Sequence, residues 1–281
     1  MNRPKRNKID KTALMRAIAA LALLLLGAGC GESEPEPIEI IQDMQQSYFA
    51  LSSYEDSGVV ETYIDFGESQ SLVSSFFSIR FQDPALLRVD WTEAVNPLLE
   101  SNTIHNVLWS NGTDTFIYWG SRQEVETQPA LINGIFIASA PSGGAAHIIP
   151  SFLLPPPHRP TLPFSNLSRL KLQTSELFEG TPCHVISGQQ GELLIKLWIG
   201  QEDLLLRKSE YEIGSTREML ETVRSQLAAL PPEERSRYPE LEEIQDSAIV
   251  SRQIHRNIKL NLPLPSSALR YVPPEEALRI K

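Results

Sequence analysis

Cysteine is nearly absent: 281 residues contain only Cys30 and Cys183. A disulfide framework and a cysteine-ligated metal cluster are both excluded by that scarcity. The five histidines, His105, His147, His158, His184 and His255, show no His-x3-His spacing, so no metal site is expected. There is no Gly-x-Ser-x-Gly elbow, no phosphate loop and no dinucleotide fingerprint, and neither a cofactor nor an enzymatic activity is expected. His147 follows Gly143-Gly144-Ala145-Ala146, which suggests a catalytic turn; the plainer alternative is a loop or helix-start histidine. Asp83, Asp90 and Glu93 read as solvated strand-end charges rather than an acid pair. Positive charge is also short, with 25 Lys/Arg against 35 Asp/Glu and a net charge of −10. Such a chain repels phosphate backbones and anionic headgroups, so nucleic acid is not an expected partner. No internal repeat is found.

What is present begins with a leader. Arg3, Lys5, Arg6, Lys8, Lys11 and Arg16 make its start basic; the apolar run Ala17 to Leu26 follows, then Gly27, Ala28, Gly29 and Cys30. This is the order of a secretory signal, and the run is well short of the roughly 20 apolar residues that span a bilayer. Residues 1–29 are therefore expected to be a signal peptide, cut after Gly29. The small residues before Cys30 resemble the lipobox of bacterial lipoproteins, although the third position before the cysteine is Gly27 and Leu26 lies one place earlier. The resemblance implies a diacylglyceryl group on Cys30 and stable anchoring by two or three acyl chains, at about 0.8 kcal/mol per buried methylene. The alternative is an ordinary secretory signal with an incidental cysteine. Of the 25 basic residues six precede Cys30, against one of the 35 acidic ones, which leaves the remainder near −15. Residues 30–37, with GESEPEP, read as an acidic flexible tether.

The rest, 38–281, fits one domain. Ile40, Ile41, Met44, Tyr48 and Leu51 recur at helical spacing. The period then becomes two: Val60, Thr62, Ile64 and Phe66; Val73, Phe77, Ile79 and Phe81; Leu87, Val89 and Trp91 each share a strand face. Strands at 103–110 and 115–118 join at Asn111-Gly112, a hairpin signal. Residues 128–163 break the pattern with apolar, Gly-Gly and proline-rich sequence, and are expected to form short helices and a loop packed on the sheet. Strands resume near Ser168, at 183–187, 193–199 and 204–213, with Cys183 a small buried hydrophobe. A helical insertion at 215–245 is expected, its helix at 215–230 either a lid or a surface helix. A last strand covers 249–260, before an irregular proline-bearing tail. The fold class is therefore α+β, mainly antiparallel β: an incomplete, half-open barrel of about ten strands, with helices covering the concave face and a polar, solvated convex face.

The order of these pieces resembles the LolA/LolB superfamily of periplasmic lipoprotein carriers, with the LppX/LprG-type lipoproteins and the RseB/MucB sensors. The likeness lies in the leading helix and LSSYEDSGVVETYIDF, in FSIRFQDPALLRVDW, in LWSNGTDTFIYW and in LWIGQEDLLLRKSEYE. The helix at 215–230 is an addition to the smallest members. The resemblance implies a helix-lidded hydrophobic cavity that holds a lipid or the acyl chains of lipoproteins, and no shared catalytic residues. Candidate lining residues are Phe77, Ile79, Leu87, Val89, Trp91, Trp109, Ile117, Ile135 and Phe136; the alternative is that they form an ordinary dry core. Expected partners are thus a lipid, the membrane through Cys30, and an envelope protein. The expected location is the bacterial envelope facing the periplasm. Gly31 after the cysteine favours the outer membrane, by resemblance to enterobacterial sorting. The anchor suits a tethered holder better than a diffusing shuttle.

Overall fold

Helix α1, Pro37–Phe49, starts with proline at its first position, where a missing N–H costs nothing, and carries Glu39 in its first turn near the positive end of its dipole. Ile40, Ile41, Met44 and Tyr48 form its buried stripe, each contributing roughly 1.5–3 kcal/mol by leaving water. The computed structural model describes residues 35–65, 70–94, 103–155, 162–214, 225 and 248–280. The expected signal peptide, Cys30, and, apart from residue 225, the insertion at 215–245 lie outside these described residues. Pro37–Lys281 forms one compact unit. Among the described residues no helix is long and apolar enough to cross a membrane.

Among the described residues twelve strands follow α1. They are β1 (Ser53–Asp65), β2 (Gln70–Gln82), β3 (Leu86–Ala94), β4 (Thr103–Asn111), β5 (Thr115–Trp119) and β6 (Glu124–Gln128). After two helices, α2 (Leu131–Ser139) and α3 (Ile148–Leu153), come β7 (Ser168–Phe178), β8 (Thr181–Gln190), β9 (Leu193–Gly200), β10 (Leu206–Gly214) and β11 (Ala248–Leu260). A one-turn helix, α4 (Ser266–Leu269), and β12 (Leu278–Ile280) end the order. All strands belong to one sheet, ordered β12-β6-β5-β4-β3-β2-β1-β11-β10-β9-β8-β7. Its edges, β12 and β7, are not joined, so the sheet is open. Two antiparallel meanders meet where β11 returns to pair with β1, Val59 opposite Ile254 and Tyr63 opposite Val250.

The expected fold class holds, with two strands more than about ten. β6, EVETQ, has a single apolar side chain, and β12 is three residues long and pairs with β6 in parallel; neither leaves a usable period-two pattern. At the β4–β5 hairpin, Asn111 Oδ1 accepts the backbone N–H groups of Thr113 and Asp114, and Gly112 sits at φ 92°. That left-handed conformation favours glycine.

One apolar cluster occupies the inner face of the sheet. Tyr54, Val60, Phe77, Ile79, Phe81, Leu87, Val89, Trp91, Leu108 and Ile117 from the first meander join Ile186, Ile195, Leu197 and Ile199 from the second. Over them lie α1, α2 and α3. The outer face does not match the expected polar, solvated surface. Val107, Trp109, Tyr118 and Val125 form a second buried cluster beneath the C-terminal residues Tyr271 and Ala277. Cys183, Val185 and Trp198 form a third. Lys196 and Lys208 bring their ammonium groups over the Trp198 ring at 4.5 and 3.8 Å, so their stems shield it while their charges stay in water.

Candidate ligand-binding site

Residues 131–154, LINGIFIASAPSGGAAHIIPSFLL, contain no Asp, Glu, Lys or Arg. They cross the inner face of the first meander as α2, a tight turn and α3. Helix α2 buries Leu131, Gly134, Ile135 and Ala138. Gly134 permits the close approach, since a Cβ there would lie 2.8 Å from both Leu108 Cδ1 and Thr115 Cγ2. The opposite side of α2 faces outward with three large apolar side chains beside Asn133: Ile132 is 36%, Ile137 40% and Phe136 80% exposed. In the turn, Ser142 Oγ donates to Ser139 O and accepts the Ala146 N–H, while Gly143 and Gly144 adopt positive φ. All six residues of α3 are buried. Its Phe152 ring packs against Tyr48 at 5.6 Å and Phe164 at 6.0 Å.

Seven of the nine candidate lining residues meet under this cover: Phe77, Ile79, Leu87, Val89, Trp91, Ile117 and Ile135 share the inner cluster. Trp109 lies on the opposite face, stacked on Phe116 with centroids 5.1 Å apart. Phe136 points away from the cluster. A cavity of about 610 Å³ borders the second meander, where Leu170, Gly188, Leu194 and Ile195 meet Lys171, Lys196 and Glu210. Ile195 belongs to the inner cluster as well, so this cavity touches the apolar interior.

A polar row runs through the same interior. Tyr54 and Asp56 on β1, Gln253 and His255 on β11 and Ser209 on β10 are all buried. Asp56 Oδ2 accepts the Tyr54 hydroxyl at 2.8 Å and meets His255 Nδ1 at 2.6 Å. The His255 ring stands edge-on to Phe77 at 5.3 Å. Ser209 lies opposite Gln253 in the ladder. Among the described residues Asp56 Oδ1, His255 Nε2 and both polar atoms of the Gln253 amide have no hydrogen-bond partner. Burial, reinforced by the Asp56 charge, pushes the Tyr54 phenol well above its usual range, so it acts as a neutral donor. Sequence reading missed this row because Asp56 and His255 are separated by 199 positions. The detectable signal was an aspartate at an inner position of β1, between Tyr54 and Gly58.

The remaining polar candidates serve the scaffold. His147 opens α3, and its carbonyl accepts the Ser151 N–H and hydroxyl; burial lowers its pKa. Asp83 is exposed, but Asp90 is not the expected solvated charge: it is buried and meets Arg80 at 2.9 Å, Arg88 at 2.7 Å and His105 at 3.3 Å. Burial acts to raise its pKa, but hydrogen bonds from His105 and Arg88 and the charges of Arg88 and Arg80 outweigh that and lower it. Among the described residues no group of three or more His, Cys, Asp or Glu is placed to hold a metal.

No family model and no curated protein sequence matches the chain. Among solved structures, one similar to it is an uncharacterised conserved protein of Thermus thermophilus, 10% identical, with a TM-score of 0.41, covering 86% of this chain and 96% of that one. Another is the Mycobacterium tuberculosis lipoprotein LppX, 12% identical, TM-score 0.40, covering 83% and 99%. A LolA-superfamily protein of Nitrosomonas europaea is 8% identical, TM-score 0.31, covering 85% and 99%.

Proposed function

We propose that the chain is a lipid-anchored protein of the bacterial envelope, facing the periplasm from the outer membrane, that holds a lipid or acyl chain between residues 131–154 and the inner face of its sheet. The observation that carries this reading is the uncharged cover. Helix α2 carries no charge; it buries one apolar side and exposes Ile132, Phe136 and Ile137, beside Asn133, on the other. An uncharged helix that exposes large apolar side chains is stable where they too meet apolar material, and here they are free to meet a membrane or a lipid tail. Burial of the chain drives binding, and movement of the α2–α3 cover sets release. The cavity beside Ile195, lined with Lys171, Lys196, Glu210 and Glu212, borders the same cluster. Attachment through Cys30 would hold this cover within reach of the bilayer, as trafficking of lipids or lipoproteins across the envelope requires.

The test is the ligand content of the full-length Cys30→Ser protein, which carries no attached acyl chain of its own. Mass spectrometry of an organic extract is expected to find lipid near one molecule per chain. An extract without lipid overturns the reading. Stoichiometric capture of an envelope protein by the same lipid-free sample would instead identify the exposed side of α2 as a protein-docking surface for sensing.

A further inference from the structure

A second site lies on the outer face. After β11 the chain passes through α4 and crosses back over the outer side of the first meander until β12 pairs with β6. Three contacts secure this strap. Arg88 Nη1 donates to the Arg270 carbonyl at 3.0 Å, the Arg88 guanidinium lies 5.3 Å from the centre of the Tyr271 ring, and the Leu278 N–H donates to Gln123 O at 2.9 Å. Strap and sheet do not close on each other completely. Between them is a cavity of about 430 Å³, within the range of small-ligand pockets, roughly 300–1,000 Å³.

Its chemistry is selective. The stacked Trp109–Phe116 pair, Val125, Leu264 and Leu269 give it one apolar wall, while Gln82, Asn111 and Thr127 make the rest polar. Arg270 and Arg279, both exposed, stand at its rim. Among the described residues no Asp or Glu lines it, in a chain whose acidic residues outnumber its basic ones by 35 to 25. Arg122 pairs with Glu124 and Glu126 elsewhere on β6, and Arg88 is held by Asp90. Burial and its neighbours push the Tyr271 phenol up to about 12, so it stays a neutral donor. The geometry points to a binding site for a single-chain anionic amphiphile of the fatty-carboxylate type, its tail against Trp109 and Phe116 and its head between Arg270 and Arg279. Guanidinium groups present forked donors that match a carboxylate, and such charge-assisted hydrogen bonds are the strong ones.

Isothermal titration of the full-length Cys30→Ser protein, stripped of lipid, tests this with laurate, lauryl alcohol and lauryl-trimethylammonium. Laurate is expected to bind about tenfold tighter than either probe, the increment one charge-assisted contact provides. Arg270→Gln with Arg279→Gln, both at exposed positions, is expected to bring laurate down to the alcohol. Trp109→Leu is expected to weaken all three. Equal binding of the three probes overturns the site. So does laurate binding that survives the double arginine variant but is lost with Phe136→Ser, which would place it under the α2–α3 cover instead. The arginine readout does not depend on whether that inner cover holds a lipid.

Discussion

The two faces of the sheet are buried by different means. The inner face is one continuous apolar cluster, covered by helices that belong to α1 and to the insertion between β6 and β7. The outer face is buried in two small patches: one lies under the C-terminal strap and the other under the stems of charged side chains. A continuous cluster cannot collapse locally when an atom is removed, whereas a patch covered by flexible stems can. Substitutions inside should therefore cost more than chemically matched ones outside, and that contrast can be broken by measurement.

The largest contrast is between two tryptophans. Trp91 is fully buried in the inner cluster. Trp91→Ala is expected to cost about 3–5 kcal/mol in denaturant unfolding, as a large aromatic lost from a packed core does. Trp198→Ala, under Lys196 and Lys208 outside, is expected to cost less than about 3 kcal/mol, because those stems can settle into the space. Equal costs would mean the outer patch is packed as rigidly as the core.

The next contrast concerns hydrogen-bonded carboxylate pairs. Asp56 and His255 are fully buried, so Asp56→Ala strands the imidazole in an apolar interior and is expected to cost about 3 kcal/mol. Replacing both residues by valine is expected to recover much of that loss, since well-packed apolar pairs often match buried ionic ones. Outside, Arg256 and Glu179 form a half-exposed pair at 2.5 Å, and Glu179→Ala should cost less than about 1 kcal/mol. If the valine pair is no more stable than Asp56→Ala, the polar row is supported by more than the one pair.

The inner face was largely legible in the sequence. Phe77, Ile79 and Phe81 on β2 and Leu87, Val89 and Trp91 on β3 alternate with polar neighbours, and period-two alternation reports one buried face. The outer cover was not. Its signal was present in TFIYW, where Phe116 and Tyr118 alternate with Ile117; a strand apolar on both sides is buried on both sides. What supplies the second cover is Tyr271, more than 150 positions away, held by Arg88 and flanked by Trp109 and Tyr118. Local patterning carries no information about such distant pairings. The same limit hid Asp56–His255. For Trp109 the sequence signals burial, as a tryptophan in a strand does, without saying on which side of the sheet. Around Phe136 the apolar residues Ile132, Ile135, Phe136 and Ile137 fall on more than one side of α2, so periodicity does not select the buried one.

The strap provides a smaller, pH-dependent contrast. Asp90 holds Arg88, and Arg88 holds the strap. Its carboxyl titrates below the ordinary range in the folded protein. A depressed folded pKa stabilises the protein above the unfolded pKa, and the contribution is lost as pH falls through the folded one. Asp90→Asn is therefore expected to cost about 2 kcal/mol at neutral pH, in line with hydrogen bonds to a charged group. The gap to the unsubstituted protein should narrow as pH drops below about 4 and close at more acidic values. Hydrogen exchange at the Leu278 amide, which bonds to Gln123 O, should accelerate in the variant. A gap that stays constant with pH would show that Asp90 works by shape rather than by charge.

The smallest effect on stability should come from the residue that matters most to the proposed role. Phe136 is 80% exposed, so Phe136→Ser removes little packing and is expected to change unfolding by less than about 0.5 kcal/mol. Its loss should nevertheless weaken contact between α2 and apolar material, because an exposed aromatic on an uncharged helix is the first group a lipid would meet. Transfer of a fluorescent phospholipid from vesicles to the lipid-free Cys30→Ser protein measures that contact, and the variant should slow it several-fold. Leu177, exposed on edge strand β7 and far in the sheet order from the covered meander, is the control: Leu177→Ser should leave transfer unchanged. Equal slowing by both substitutions would remove α2 from the uptake step, and the inner cluster would then stand as a core rather than as a site.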